Sequence, residues 1–276
     1  MHGLGNDFIV FDARVQPLTL TASTIRALAD RHTGVGADTL VVIEPAKANE
    51  ADVSVQFHNA DGDEIGTCGN ATRCVAALLF QETGRESIRI ATKDGLLSAS
   101  RSGDSVAVDM GRPRLGWSDL PLAGPMDTLH LPVTGPLADP VGVSMGNPHA
   151  VFFVEDAPSV DIAMLGPLIE HHPLFPERVN VEVATVLAPD RIRMRVWERG
   201  VGITRACGSG ACATLVAAVR RGLTGRRATL VLDGGDLLIE WRDDEHVIMT
   251  GPAATSFVGE IDERYYGVIS RAAEAA

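Results

Sequence analysis

Two stretches decide how this chain is read: Cys68-Gly69-Asn70-Ala71-Thr72-Arg73-Cys74-Val75-Ala76-Ala77-Leu78-Leu79 and Cys207-Gly208-Ser209-Gly210-Ala211-Cys212-Ala213-Thr214-Leu215-Val216-Ala217-Ala218. Each opens on Cys-Gly and continues in small and aliphatic residues at helical spacing, so each cysteine is expected at the N-terminus of a buried helix. A helix start carries partial positive charge and unpaired N–H groups. It eases ionisation of a thiol placed there and offers an anion site beside it.

Working outward, the landmarks around these helices recur. Asn6 and Asn147 follow glycines at nearly the same interval as the two cysteines, and Asp94-Gly95 answers Asp233-Gly234. Asn59 and Glu198 each stand nine residues ahead of their cysteine. Matches in this order point to a duplicated α/β unit, with a mixed or antiparallel sheet around a central helix. The Gly- and Pro-rich stretch from Met110 to Pro125 marks the boundary. The expected halves are 1–112, completed by a returning strand at about 262–276, and 113–261, with the active site in the cleft between them. Within them, Ser23 is expected to cap a helix reaching His32. Strand patterns are expected near 8–11, 40–43, 53–57, 87–91, 95–100, 105–109, 129–133, 141–144, 150–154, 179–187, 192–198, 228–232, 236–241 and 246–250.

Composition narrows the function class. The chain of 276 residues is long enough for two cores, and 45% hydrophobic content fits an ordinary globular enzyme. A net charge of −12 and only 5% aromatic residues argue against a nucleic-acid or anionic-membrane partner. No apolar run reaches the roughly 20 residues of a membrane helix, and the N-terminus lacks a signal-peptide pattern. Four cysteines are too few for a disulfide scaffold, so a cytoplasmic location with reduced thiols is expected. Their spacing does not suit zinc, so no metal is assigned. Cys74 and Cys212 are expected in the core. Lys47 and Lys93 are the only lysines and neither suggests a Schiff base, so no cofactor is expected. Gly34-Val35-Gly36 lacks the rest of a dinucleotide fingerprint.

Two thiols facing one carbon acid suit inversion of a stereogenic centre: one removes a proton and the other delivers one from the opposite face. Charge then gathers on the neighbouring carboxylate, and the amides of Gly69, Asn70, Gly208 and Ser209 are the donors to receive it. His149, Glu198, Arg199 and the asparagines 6, 59, 147 and 180 sit at strand ends where a ligand would be met.

These residues together resemble diaminopimelate epimerase. The matching stretches are His2-Gly3-Leu4-Gly5-Asn6-Asp7-Phe8, Asn59-Ala60-Asp61-Gly62, Cys68-Gly69-Asn70, Gly146-Asn147-Pro148-His149, Asn180-Val181-Glu182, Glu198-Arg199-Gly200 and Ala206 to Ala213. The resemblance implies a cofactor-independent epimerase converting L,L- to meso-diaminopimelate, on the route to lysine and peptidoglycan. Cys68 and Cys207 would be its acid/base residues, with His149 and Glu198 supporting the thiols. Asn6, Asn59, Asn147, Asn180, Glu198 and Arg199 would hold the amino and carboxylate groups. Gly69, Asn70, Gly208 and Ser209 would bind the carboxylate at the reacting centre. It also implies a homodimer, with Tyr265 in the contact. A racemase or epimerase of the same fold acting on histidine or hydroxyproline is the alternative. The hydroxyproline enzymes resemble a Cys-Gly-His pattern, and Asn70 argues against them.

Three departures stand out. Ala71-Thr72 replaces the family's usual Gly-Ala, Thr39 stands where many members carry a glutamine, and the short strand expected ahead of His2 has no counterpart.

Overall fold

The computed structural model describes residues 1–47 and 49–262, and the chain divides into two compact units, the first ending at Val108 and resuming at Pro252, the second running Asp109–Gly251. The returning strand expected at about 262–276 and Tyr265 fall essentially outside the described residues.

In the first unit the elements are β1 (His2–Gly3), β2 (Asn6–Asp12), α1 (Ala22–Ala29), β3 (Thr39–Pro45), β4 (Val53–Asn59), β5 (Glu64–Ile65), α2 (Gly69–Thr83), β6 (Ser87–Thr92), β7 (Gly95–Ser102) and β8 (Ser105–Asp109). The second unit holds β9 (Val141–Ser144), β10 (Pro148–Phe153), α3 (Ile162–Glu170), β11 (Asn180–Ala188), β12 (Arg191–Glu198), β13 (Gly202–Thr204), α4 (Gly208–Arg220), β14 (Arg227–Leu232), β15 (Gly235–Trp241) and β16 (Val247–Gly251). The strand order is β1-β2-β3-β4-β6-β7-β8 in one unit and β9-β10-β11-β12-β14-β15-β16 in the other, with β5 on β4 and β13 on β12. The directions repeat as well. β2/β3 and β10/β11 are parallel, β3/β4 and β11/β12 antiparallel, and β4/β6 and β12/β14 parallel again.

Each sheet is organised by its helix. α4 has small or aliphatic residues on every side, and Gly210 through Ala218 are all buried against β9, β10, β11, β14, β15 and β16. A helix apolar all round belongs in an interior. α2 plays the same part against β1, β2, β6 and β7, and ends at Gly84, whose φ of 68° is the left-handed cap that glycine adopts without a Cβ penalty. The outer helices are amphipathic by comparison. α1 lays Ile25, Leu28 and Ala29 against Leu40, while α3 contributes Ile162 and Ile169 to a cluster with Phe152, Val181 and Val183. Each such side chain contributes about 1.5–3 kcal/mol on burial.

Local departures from the sequence reading have physical causes. α1 is capped by Thr21, whose Oγ1 accepts the Thr24 N–H at 3.2 Å, and not by Ser23. It stops at Ala29 because Asp30 turns extended and its carboxylate accepts the N–H groups of His32 and Thr33. Residues 129–133 form no strand. Leu131 and Val133 are buried, but the ladder there is replaced by isolated bonds, Leu131 N–H to Pro140 O and Gly142 N–H to Thr128 O. At the other end, His2–Gly3 and Asn6–Asp7 pair as a hairpin through Leu4 (φ 58°) and Gly5 (φ 83°), the left-handed pair that a two-residue hairpin requires. His2 also exchanges both backbone hydrogen bonds with Ala254, so the chain after Pro252 covers this edge.

One close approach in the second unit yields a prediction. A Cβ at Gly166 on α3 would lie 2.5 Å from Cγ of Trp197. Gly166→Ala is expected to lower stability by about 1–3 kcal/mol, overpacking outweighing the roughly 1 kcal/mol gain in helix propensity. A denaturant midpoint at or above that of the parent would show that the indole has room to yield.

Candidate functional site

In the first unit, β4 and the short β5 hairpin deliver the chain to Cys68, which stands in extended conformation as the N-cap of α2. Its carbonyl accepts the Thr72 N–H at 2.8 Å, the first helical hydrogen bond, so the Gly69 and Asn70 N–H groups lie in the first turn, ahead of the helix's own ladder. Cys68 is partly exposed, while Cys74, one helical stretch further, is buried and its thiol is pushed up to about 12 by desolvation. Asn70 is buried and gives its Nδ2 to Asn6 Oδ1 at 3.1 Å, so the start of β2 is tied to the start of α2. Asn59 closes β4, and among the described residues its side-chain amide has no hydrogen-bond partner. Thr39 stands opposite Asn59 in register and is buried in β3.

The second unit repeats the plan with different charges. Cys207 is the N-cap of α4, buried, and its Sγ accepts the Gly210 N–H at 3.3 Å and lies 3.5 Å from Ser209 Oγ. Asn147, at the entry to β10, gives Nδ2 to Ser209 Oγ at 3.3 Å. This is the same pair of positions that Asn6 and Asn70 occupy in the first unit, with the donor on the opposite partner. Behind Asn147 lies a wholly buried pair: His149 Nε2 meets Asn147 Oδ1 at 3.0 Å, and His149 Nδ1 meets Glu182 Oε1 at 2.7 Å. The parallel register of β10 and β11 sets His149 beside Asn180 and leaves Glu182 two residues on. A line of contacts therefore runs from Glu182 through His149, Asn147 and Ser209 to the thiol.

Glu198 ends β12 and is half-buried, its carboxylate accepting the Thr204 hydroxyl across the β12/β13 hairpin. Desolvation raises its pKa, held back by hydrogen bonds from Thr204 and Cys207. Cys207 is itself pushed well above the ordinary thiol range, first by burial and then by the negative charges of Glu198 and Glu182. Its bonds to Ser209 and Gly210 oppose the rise. Burial and the two neighbouring carboxylates thus disfavour the Cys207 thiolate, against the expectation from its helix start alone, and Glu198 beside it is shifted upward as well. Alkylation of Cys207 by iodoacetamide is expected to set in only as pH rises past the usual thiol value of about 8.5. Mass mapping that found Cys207 fully labelled at neutral pH would contradict this.

Arg199, exposed, begins the turn after β12. Asn180 braces that turn: its Oδ1 accepts the Arg199 N–H at 2.9 Å while its Nδ2 donates to Pro148 O at 2.9 Å. One buried amide thus couples the Arg199 turn to the Asn147–His149 strand start. Two buried carboxylates without an assigned role in the sequence reading complete the framework. Glu182 forms the pair with His149. Glu170, at the end of α3, accepts Trp197 Nε1–H at 2.7 Å and the Gly200 N–H at 2.9 Å, which pins the Arg199 turn from below. In sequence, Glu182 stands as a charge between Val181 and Val183, within the matching stretch Asn180-Val181-Glu182, and nothing there assigns it a role. Glu170 has no signal beyond its place at a helix end.

The second Cys-Gly helix tolerates no Cβ at its fourth position. A Cβ on Gly210 would sit 2.7 Å from Glu182 Oε1 and 3.2 Å from Cys207 Sγ. The corresponding residue of the first unit is Ala71, which is fully buried. Both lysines are on the surface, Lys47 against Glu44 at 2.6 Å and Lys93 against Glu64 at 3.5 Å.

The sequence model of one family, Diaminopimelate epimerase, matches residues 1–116 and 141–256. A Diaminopimelate epimerase of Rhodospirillum centenum is 62% identical over 265 residues, covering 95% of this chain and 91% of the relative. One from Phenylobacterium zucineum is 57% identical, covering 95% and 96%. Among solved structures, a probable proline racemase from Agrobacterium radiobacter superposes with a TM-score of 0.67 at 17% identity, over 95% of this chain and 91% of that one. A hydroxyproline epimerase from Agrobacterium vitis gives 0.66 at 16%, over 94% and 89%. At those identities the two structures establish a shared fold.

Proposed function

The chain belongs to the diaminopimelate epimerase family, and from that premise we propose that it inverts one α-carbon of diaminopimelate, with Cys68 and Cys207 as the two proton carriers. The observation that supports this most directly is the duplicated helix start: in each unit a cysteine N-cap stands beside a side chain hydrogen-bonded to the asparagine that opens a strand.

The chemistry follows from those groups. One sulfur, as thiolate, takes the α-proton, and the electron pair left on carbon spreads into the adjacent carboxylate. The amides of Gly69, Asn70, Gly208 and Ser209 receive that charge, each well-aimed donor contributing about 3 kcal/mol. The other sulfur, as neutral thiol, returns a proton to the opposite face. The surroundings of Cys207 favour its thiol form, and Glu198 is the group that exchanges a proton with it. Asn59, Asn147, Asn180, Glu198 and Arg199 are assigned to the amino and carboxylate groups of the substrate, Asn6 with them, and His149 holds the Asn147 side chain in place. The reaction so drawn uses no cofactor. With both lysines exposed and ion-paired, neither is assigned a Schiff base. Two reduced thiols as reagents fit a cytoplasmic setting. Among the described residues no helix is long and apolar enough to cross a membrane. The family resemblance also supports a homodimer, with Tyr265 in its contact, and a place on the route to lysine and peptidoglycan.

Incubation with L,L-diaminopimelate in deuterated water tests the proposal. Deuterium should enter one α-carbon as the meso isomer forms. Inversion of histidine or hydroxyproline, with diaminopimelate untouched, would transfer the assignment to another amino acid.

A further inference from the structure

Three hydrogen bonds in the first unit form a line with a charge at each end. Arg73 Nη1 donates to Asn70 Oδ1 at 2.9 Å, Asn70 Nδ2 donates to Asn6 Oδ1 at 3.1 Å, and Asn6 Nδ2 donates to Asp38 Oδ2 at 2.9 Å. We propose that Arg73 and Asp38 are positioning residues that fix which way the Asn70 and Asn6 amides face, and so which atoms those amides turn toward the substrate. This rests on the reading of Asn6 and Asn70 as substrate-binding residues.

The argument is one of donors and acceptors. The two ends of an asparagine amide are nearly the same size, so shape alone does not choose between them. A guanidinium has only donors and a carboxylate only acceptors. With Arg73 at one end and Asp38 at the other, a single orientation of both amides satisfies all three bonds. Turning either amide over sets donor against donor or acceptor against acceptor at about 3 Å, which forfeits a charge-assisted bond.

Both ends are held. Arg73 is fully buried in α2, and its Nε also donates to Pro252 O at 3.2 Å. Asp38 accepts the Asp7 N–H at 3.2 Å with the same Oδ2, and Arg31 with Oδ1 at 2.7 Å. Gly3 makes the room: a Cβ there would lie 2.8 Å from Arg73 Nη2 and 3.4 Å from the Asn70 side chain. In the second unit the corresponding contact, Asn147 to Ser209, is likewise backed by ionisable side chains, His149 and Glu182, yet runs in the opposite direction. The two half-sites are therefore set in opposite senses, each by groups behind the residues that meet the ligand.

Arg73 is a poor place to test this because it is buried in a helix, so the decisive variant is at exposed Asp38. In Asp38→Asn the terminal group both donates and accepts, and the constraint on Asn6 is lost. The KM for L,L-diaminopimelate is expected to rise about 10-fold with kcat within about 3-fold. Asp38→Glu, which restores the acceptor, should recover most of that loss. Arg31→Gln, which removes the ion pair of Asp38 and that of Asp7 but leaves the bond from Asn6 to Asp38, should stay within about 2-fold of the parent, as expected for exposed pairs. In an Asn6→Ala background, Asp38→Asn should add nothing. Independently of turnover, the side-chain amide resonances of Asn6 in nitrogen-15 spectra should shift in Asp38→Asn. Unmoved resonances, an unchanged KM, or the same KM increase with Asn6 already removed would overturn the proposal. A parent enzyme with no action on diaminopimelate would instead count against the functional reading, and the resonances would still decide the orientation.

Discussion

Cys68→Ser and Cys207→Ser are each expected to lower epimerisation of diaminopimelate by about 10²- to 10⁴-fold, the range that a positioned acid or base supplies. Serine keeps the size and the hydrogen-bonding capacity of the side chain but carries a proton too tightly held to be exchanged with carbon. The two losses should differ in kind. Each variant keeps one functional thiol, so each should still wash the α-proton of one stereoisomer into deuterated water without inverting it, and the two variants should prefer opposite starting isomers. Following the α-proton signal from L,L- and from meso-diaminopimelate separately makes the comparison. A variant of either cysteine that kept more than a tenth of parental turnover would end the two-thiol mechanism. Cys74→Ser and Cys212→Ser serve as controls, since both residues are buried within their helices.

The second large effect is on stability. Glu182→Gln leaves the volume of the side chain nearly unchanged but removes the charge that faces His149 from a site where neither partner sees solvent. Breaking a buried pair from one side costs about 3–5 kcal/mol. For a chain of this size, that corresponds to a fall in Tm of roughly 6–20 °C. The damage should reach the site as well, because His149 orients Asn147, and Asn147 orients Ser209 beside the thiol. Differential scanning calorimetry of Glu182→Gln and of a His149→Leu, Glu182→Leu double variant checks the account. The double variant should be the more stable of the two, since it removes both partners of the buried polar pair together. A single variant that melted with the parent would mean the pair contributes nothing.

The sequence was most informative where one-dimensional pattern and three-dimensional role coincide. Cys-Gly followed by small residues foretold two buried helices, because a helix surrounded by a sheet must be apolar on every side. The strand patterns after each helix were legible for the same reason. The alternation of parallel and antiparallel neighbours was not, since pairing direction leaves no trace in hydropathy. Leu131 and Val133 mimic a strand because burial selects apolar side chains whatever the backbone does. Thr21 and Ser23 are both good caps on paper, and the choice is made by which hydroxyl reaches the Thr24 amide. The two cysteines and Asn6, Asn59 and Asn147, proposed here to meet the ligand, were picked out through the duplication, whereas Glu170, Glu182 and Asp38 had no such help. A buried carboxylate is recognised only once its donors are in place, and those lie far away in sequence: Trp197 and Gly200 for Glu170, His149 for Glu182.

The missing Cβ of Gly210 bears on the history of the duplication. Exchanging the two motifs, by writing residues 68–73 into positions 207–212, would press a methyl group onto Glu182 and set a guanidinium in the middle of an apolar helix. The reverse graft would leave Asn6 without the amide it now leans on. Two segments built on one plan have become mutually untransplantable, each fitted to the side chains packed against its own helix start, so an exchange between them would not be silent.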